Sequence, residues 1–66
     1  MDVRARVAGQ GIEERSLEED PTCGALLEAL GLSPQEATVV VDGRPVPADA
    51  PLEDTEVTVV RLIAGG

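Results

Sequence analysis

Ala37-Thr38-Val39-Val40-Val41-Asp42-Gly43-Arg44-Pro45-Val46 decides how the rest of the chain is read. Its first half is crowded with β-branched side chains, which pack well on a pleated sheet and restrict helix. Asp42-Gly43 is a turn pair. Arg44 to Val46 then reads as a short extended piece between prolines. Pro45 cannot donate to a ladder, which suits a sheet margin.

Downstream, Ala48 to Asp54 reads as a loop, with Leu52 as its plug into the core. Glu56 to Ile63 reads as the last strand, rich in Val, and Ala64-Gly65-Gly66 as a flexible tail leaving the sheet. Upstream, Leu32 to Glu36 is a connection in which Pro34 prevents simple helix continuation. Before it, Leu26, Leu27 and Leu30 form one apolar stripe of a helix two to three turns long. Asp20 or Thr22 caps its start, with Pro21 at a first helical position if Asp20 does. Gly31 sits where a left-handed residue ends helices.

At the N-terminus, Val3, Ala5 and Val7 alternate with Asp2, Arg4 and Arg6, a strand with one buried face. Gly9-Gln10-Gly11 supplies turn residues. Ile12 to Glu18 reads as the returning edge strand. Ile12 and Leu17 have opposite parity there, so a bulge or an early strand end is required. The order is strand, strand, helix, strand, short strand, strand. An amphipathic helix needs a sheet face to cover. The expected fold is therefore α+β, a β-grasp in which a mixed four- to five-stranded sheet packs on one short helix. Residues 1–63 form the domain and residues 64–66 the tail.

Composition narrows the function. The 66 residues carry 13 acidic side chains against 5 basic ones, all arginine, for a net charge of −8. That charge repels nucleic acid and anionic membranes. Acid without lysine fits a halophilic cytosol, where a Debye length of about 3 Å at molar salt screens self-repulsion. There is no His, Phe, Tyr or Trp. The core must be built from Val, Leu, Ile and Ala, and the commonest general base and metal ligand are absent. Glu13, Glu14, Glu18, Glu19 and Asp20 read as a solvated acidic edge rather than a metal site. The single Cys23 reads as a core residue and fits a reducing, cytoplasmic compartment. No apolar run is long enough to span a membrane, and Met1 to Val7 lacks the apolar stretch of a signal peptide. Enzymatic activity, a stably bound cofactor and a metal are not expected, and a monomer is.

Val41-Asp42-Gly43-Arg44-Pro45-Val46, then Asp49, Leu52, Asp54 and Glu56-Val57, then Leu62-Ile63-Ala64-Gly65-Gly66 resemble the ubiquitin-like sulfur carriers and modifiers of prokaryotes. Acidic composition, Leu32-Ser33-Pro34 and Val41 to Pro47 look most like the small archaeal modifier proteins of haloarchaea. The resemblance implies that an E1-like enzyme adenylates the carboxylate of Gly66 with ATP. The acyl group then passes to sulfur, to a protein lysine as an isopeptide, or into tRNA thiolation. It also implies that Gly65 and Ala64 thread the tail into the enzyme, with Arg61 and Leu62 meeting the partner. In ubiquitin an arginine used in partner selection stands at the place of Leu62. Three readings stay open: a protein modifier that doubles as a sulfur carrier, a dedicated carrier for molybdopterin or thiamin synthesis, and a non-covalent β-grasp interaction module.

Strand parity adds a docking surface. If Val39, Val41, Val57 and Val59 meet the helix, Val40 and Val60 lie together on the open face beside the tail.

The charge excess makes one expectation testable at once. Repulsion on a small core is relieved by screening. Circular dichroism in molar KCl should show more helix and sheet, and a higher melting temperature, than in dilute buffer. Identical curves at both salts would sink the halophilic reading.

Overall fold

The alternation at the N-terminus becomes β1 (Asp2–Val7), with Val3, Ala5 and Val7 buried and Asp2, Arg4 and Arg6 exposed. A computed structural model describes residues 1–62; Ile63, Ala64, Gly65 and Gly66 lie outside the described residues. The chain continues through β2 (Gly11–Ser16), α1 (Cys23–Ala29), β3 (Ala37–Val41), β4 (Arg44–Val46) and β5 (Glu56–Arg61). The strands form one sheet in the order β2-β1-β5-β3-β4. β1 and β5 pair in parallel at its centre, while β1–β2, β3–β5 and β3–β4 are antiparallel. One helix covers one face of this mixed five-stranded sheet, which is the β-grasp arrangement expected from the sequence.

The helix starts two residues later than a cap at Asp20 would place it. Thr22 is the N-cap: its hydroxyl accepts from the Ala25 N–H at 3.1 Å. Asp20 adopts a left-handed φ of 54°, and Pro21 precedes the cap. The next amides find carbonyls from a distant loop. Cys23 N–H donates to the Ala50 carbonyl at 3.0 Å and Gly24 N–H to the Ala48 carbonyl at 2.8 Å. A Cβ on Gly24 would stand 3.1 Å from the Ala48 oxygen, so a glycine there admits the close approach. At the other end Gly31 takes a φ of 78°. Its N–H donates to the Glu28 carbonyl at 2.9 Å and that of Leu32 to the Leu27 carbonyl at 2.8 Å. These two bonds are the Schellman pattern, and they satisfy carbonyls that a helix end leaves open.

Asp42 (φ 53°) and Gly43 (φ 78°) both have positive φ between Val41 and its partner Arg44. That is the two-residue turn whose twist matches the flanking strands. β4 is the sheet margin, as Pro45 requires.

Two strand limits differ from expectation. β2 ends at Ser16 instead of Glu18, with an unbroken register from Val7↔Gly11 to Asp2↔Ser16. This ladder has no bulge, and the parity conflict disappears because the two residues serve opposite faces: Leu17, with the parity of Glu13 and Arg15, packs on the core, while Ile12 stays 54% exposed on the other face. β5 ends at Arg61, because β3 begins at Ala37 and the Leu62 N–H already donates to the Glu36 carbonyl beyond it.

The core contains Val3, Ala5, Val7, Cys23, Leu26, Leu27, Ala37, Val39, Leu52, Val57 and Val59. Leu52 enters from the loop at 4% exposure, as its role of plug anticipates. Burial pushes the Cys23 thiol above its usual pKa. A chain of this size has roughly 3–10 kcal/mol of stability. Leu26→Ala removes a fully buried side chain and should cost about 2–5 kcal/mol, roughly half of that total. Ile12→Ala, on the exposed side, should cost under about 1 kcal/mol. Denaturant titration followed by circular dichroism checks both, and equal losses would contradict the face assignment.

Candidate functional site: the root of the tail and the open sheet face

Gly66, Gly65 and Ala64, the residues expected to be activated and threaded, lie outside the described residues, as does Ile63. What the structure places is the root of that segment. β5 runs parallel to β1 in the middle of the sheet, and Arg61 pairs with Ala37. Leu62, 57% exposed, is held by its N–H to the Glu36 carbonyl at 2.8 Å. Thr58 and Val59 are paired on both sides, Glu56 and Val57 by β1 alone and Val60 and Arg61 by β3 alone.

The pleat sorts the valines as the parity argument requires. Val39, Val57 and Val59 are buried, and Val41 is half-buried against the core. Thr38 pairs with Val60 and Val40 with Thr58. Val40 and Val60 therefore share the face away from the helix as diagonal neighbours, a spacing of roughly 7–8 Å. Val60 is exposed and Val40 half-buried.

Register extends this patch into a row across the sheet. Ile12 stands opposite Arg6, Arg6 opposite Thr58, Thr58 opposite Val40 and Val40 opposite Pro45. A concavity of about 410 Å³ covers part of the row, with Ile12, Arg6, Thr58 and Val40 among its lining. Ile12 and Arg6 were not singled out from the sequence. The signal was available: pairing Val7 with Gly11 across the Gly9-containing turn puts Ile12 beside Arg6 on the open face.

The face is polarised along the strands. Val60, Thr38 and Ile12 lie toward the end at which β5 finishes. Asp2, Glu14, Glu56 and Asp42 lie toward the other end, which Asp54 also borders, with Arg4 bound to Glu14 at 3.2 Å. Arg6 makes no ion pair among the described residues. An apolar zone at the tail root, one cation within it and an acidic far rim make a surface with direction.

A family model described as small archaeal modifier protein 2 matches residues 1–63. The chain belongs to that family. It is 47% identical, over the whole of both chains, to small archaeal modifier protein 2 of Haloferax volcanii. It is also 51% identical over 41 residues to an uncharacterized protein of Archaeoglobus fulgidus, covering 62% of this chain and 61% of that one. A solved structure of a Haloferax volcanii protein aligns over all of both chains with 47% identity and a TM-score of 0.42. Family membership makes the chain a ubiquitin-like modifier of archaeal type, with conjugation targets and an activating enzyme as general partners. Among the described residues no helix is long and apolar enough to cross a membrane.

Val60→Asp tests the open face. The side chain is 37% exposed, so the substitution removes little buried area and puts a carboxylate at the tail end of the patch. The variant should keep its circular dichroism spectrum and bind the activating enzyme at least about tenfold more weakly, the loss of roughly 1.4 kcal/mol. Unchanged affinity would remove Val60 from the docking surface.

Proposed function

We propose that an E1-like enzyme uses ATP to adenylate the carboxylate of Gly66, and that the activated chain is then joined to protein lysines. The same activated carbonyl, passed to sulfur as a thiocarboxylate, serves tRNA thiolation. The observation that carries this reading is family membership across residues 1–63 together with a sequence that continues into Ala64-Gly65-Gly66.

The chemistry supports it. A carboxylate is a poor electrophile because its charge is delocalised over both oxygens. Its mixed anhydride with AMP carries a good leaving group. Attack on that carbonyl requires the terminal residue to enter a narrow enzyme site. Glycines lack Cβ and tolerate wide ranges of φ and ψ, so they thread without crowding the acyl phosphate. Ile63 to Gly66, four residues, reach at most about 14 Å when extended. The enzyme must therefore come close to Leu62, and the surface it meets first is the apolar end of the open face. This favours Val40, Val60, Arg61 and Leu62 as the contact residues.

Deleting Gly65 and Gly66 tests the reading. Both lie beyond β5, so the truncated chain should keep its circular dichroism spectrum. ATP–pyrophosphate exchange with the cognate activating enzyme should fall at least about a hundredfold, with thiocarboxylate and lysine adducts lost together. Gly66→Ala should be milder but still severe. Undiminished exchange by the folded, truncated chain would leave only a non-covalent interaction module.

A further inference from the structure

We infer that this chain is a single-copy tag: it is transferred to other proteins but does not build chains of itself. The inference rests on the modifier reading above. In conjugation a neutral amine nitrogen attacks the Gly66 carbonyl carbon. A C–N bond forms as the bond to the AMP oxygen or to a thioester sulfur breaks. AMP or thiolate leaves with the electron pair, and the nitrogen releases a proton to solvent. A chain of modifiers needs that amine on the modifier itself.

The sequence contains no lysine. Its five basic side chains are Arg4, Arg6, Arg15, Arg44 and Arg61, whose guanidinium groups stay protonated and are not nucleophiles. Arginine performs the electrostatic work a lysine would do: Arg4 pairs with Glu14 at 3.2 Å and Arg15 with Glu13 at 3.1 Å. The charge is retained while the primary amine is not. The chain has no histidine to activate a serine or threonine hydroxyl; Ser16 Oγ donates to the Asp2 carboxylate at 2.7 Å, but a carboxylate is a far weaker base than imidazole. Cys23, in the first turn of α1, is 1% exposed and turned into the core, out of reach of an acyl enzyme.

The α-nitrogen of Met1 is the remaining candidate, and the fold engages it. It donates to the Leu17 carbonyl at 2.7 Å, and the Leu17 N–H donates back to the Met1 carbonyl at 2.7 Å. This reciprocal pair continues the β1–β2 ladder one step past Asp2↔Ser16. The Met1 side chain is half-buried against the core. A free approach to the nitrogen therefore requires the ladder end to open. A hydrogen bond of ordinary net strength lowers the open population about fivefold.

The experiment uses the full chain with its activating enzyme, ATP and a lysine-rich acceptor protein. Glu19 is exposed in the bend between β2 and α1, so Glu19→Lys supplies one accessible ε-amine without touching the core. Mass spectrometry maps every linkage. The native chain should label acceptor lysines one copy at a time and give no modifier-to-modifier linkage above about a fifth of that in the Glu19→Lys reaction. The variant should form homopolymers branched at position 19. In parallel, acetylation of the Met1 amine should run about fivefold slower in the folded chain than in the denatured one. Homopolymers of the native chain as abundant as those of the variant would overturn the inference while leaving the modifier reading intact. Equal acetylation rates would overturn the protection of Met1. Absence of acceptor adducts from both chains would instead overturn the modifier reading, and the single-copy inference with it.

Discussion

The parallel pairing of β1 with β5 is the contact on which the rest depends. It places the first and last strands side by side in the middle of the sheet, from Arg4↔Glu56 to Val7↔Val59. Parallel neighbours cannot be joined by a tight turn, so the chain between them must cross over. That crossing carries α1, which buries Leu26 and Leu27 on Val3, Val7, Val39 and Val59. The remaining strands add outward in antiparallel fashion, β2 on one side and β3–β4 on the other. Without the central pair there would be no single face for two turns of helix to cover. A helix that short does not persist in water by itself.

The same pairing gives the open face its direction. Because β1 and β5 run the same way and β2 and β3 oppose them, residues late in β1 and β5 meet residues early in β2 and β3. Ile12, Thr38 and Val60 gather at one end by this geometry alone, and Asp2, Glu14, Glu56 and Asp42 at the other. Leu62, the last described residue, stands at the apolar end. On the proposed activation of Gly66, recognition and chemistry are neighbours on a body whose Cα radius of gyration is 10.6 Å.

What the sequence disclosed was whatever short-range periodicity encodes. Val3, Ala5 and Val7, the leucine stripe, the Asp42-Gly43 turn and the edge position of Pro45 all follow local rules. What it concealed depends on partners far along the chain. The core-facing positions of β2 hold Glu13 and Arg15, which ordinary patterning assigns to solvent. They sit at the sheet edge beyond the cover of α1, and Arg15 reaches over to donate to the Ala29 carbonyl at 3.2 Å, near the helix C-terminus. Ile12 consequently takes the outer face, against its hydrophobic character. The amides of Cys23 and Gly24 are satisfied by a loop more than twenty residues away, and no local signal announces such a contact. The docking face was visible as Val40 and Val60 from parity. Its extension to Ile12 and Arg6 needed the register of the first hairpin.

Placing the attachment strand beside β1 also has a mechanical side. Suppose a modified protein is dragged by its attached copy while the modifier's amino end is held. The pull then acts at the start of β1 and at the finish of β5, in opposite directions along parallel strands. Their hydrogen bonds lie across that line and are loaded together in shear, whereas a hairpin pulled from its open end unzips one rung at a time. If attachment is through Gly66, as proposed, such a load falls on the β1–β5 bonds together, and the outer pairs, β1–β2 and β3–β4, lie off that path.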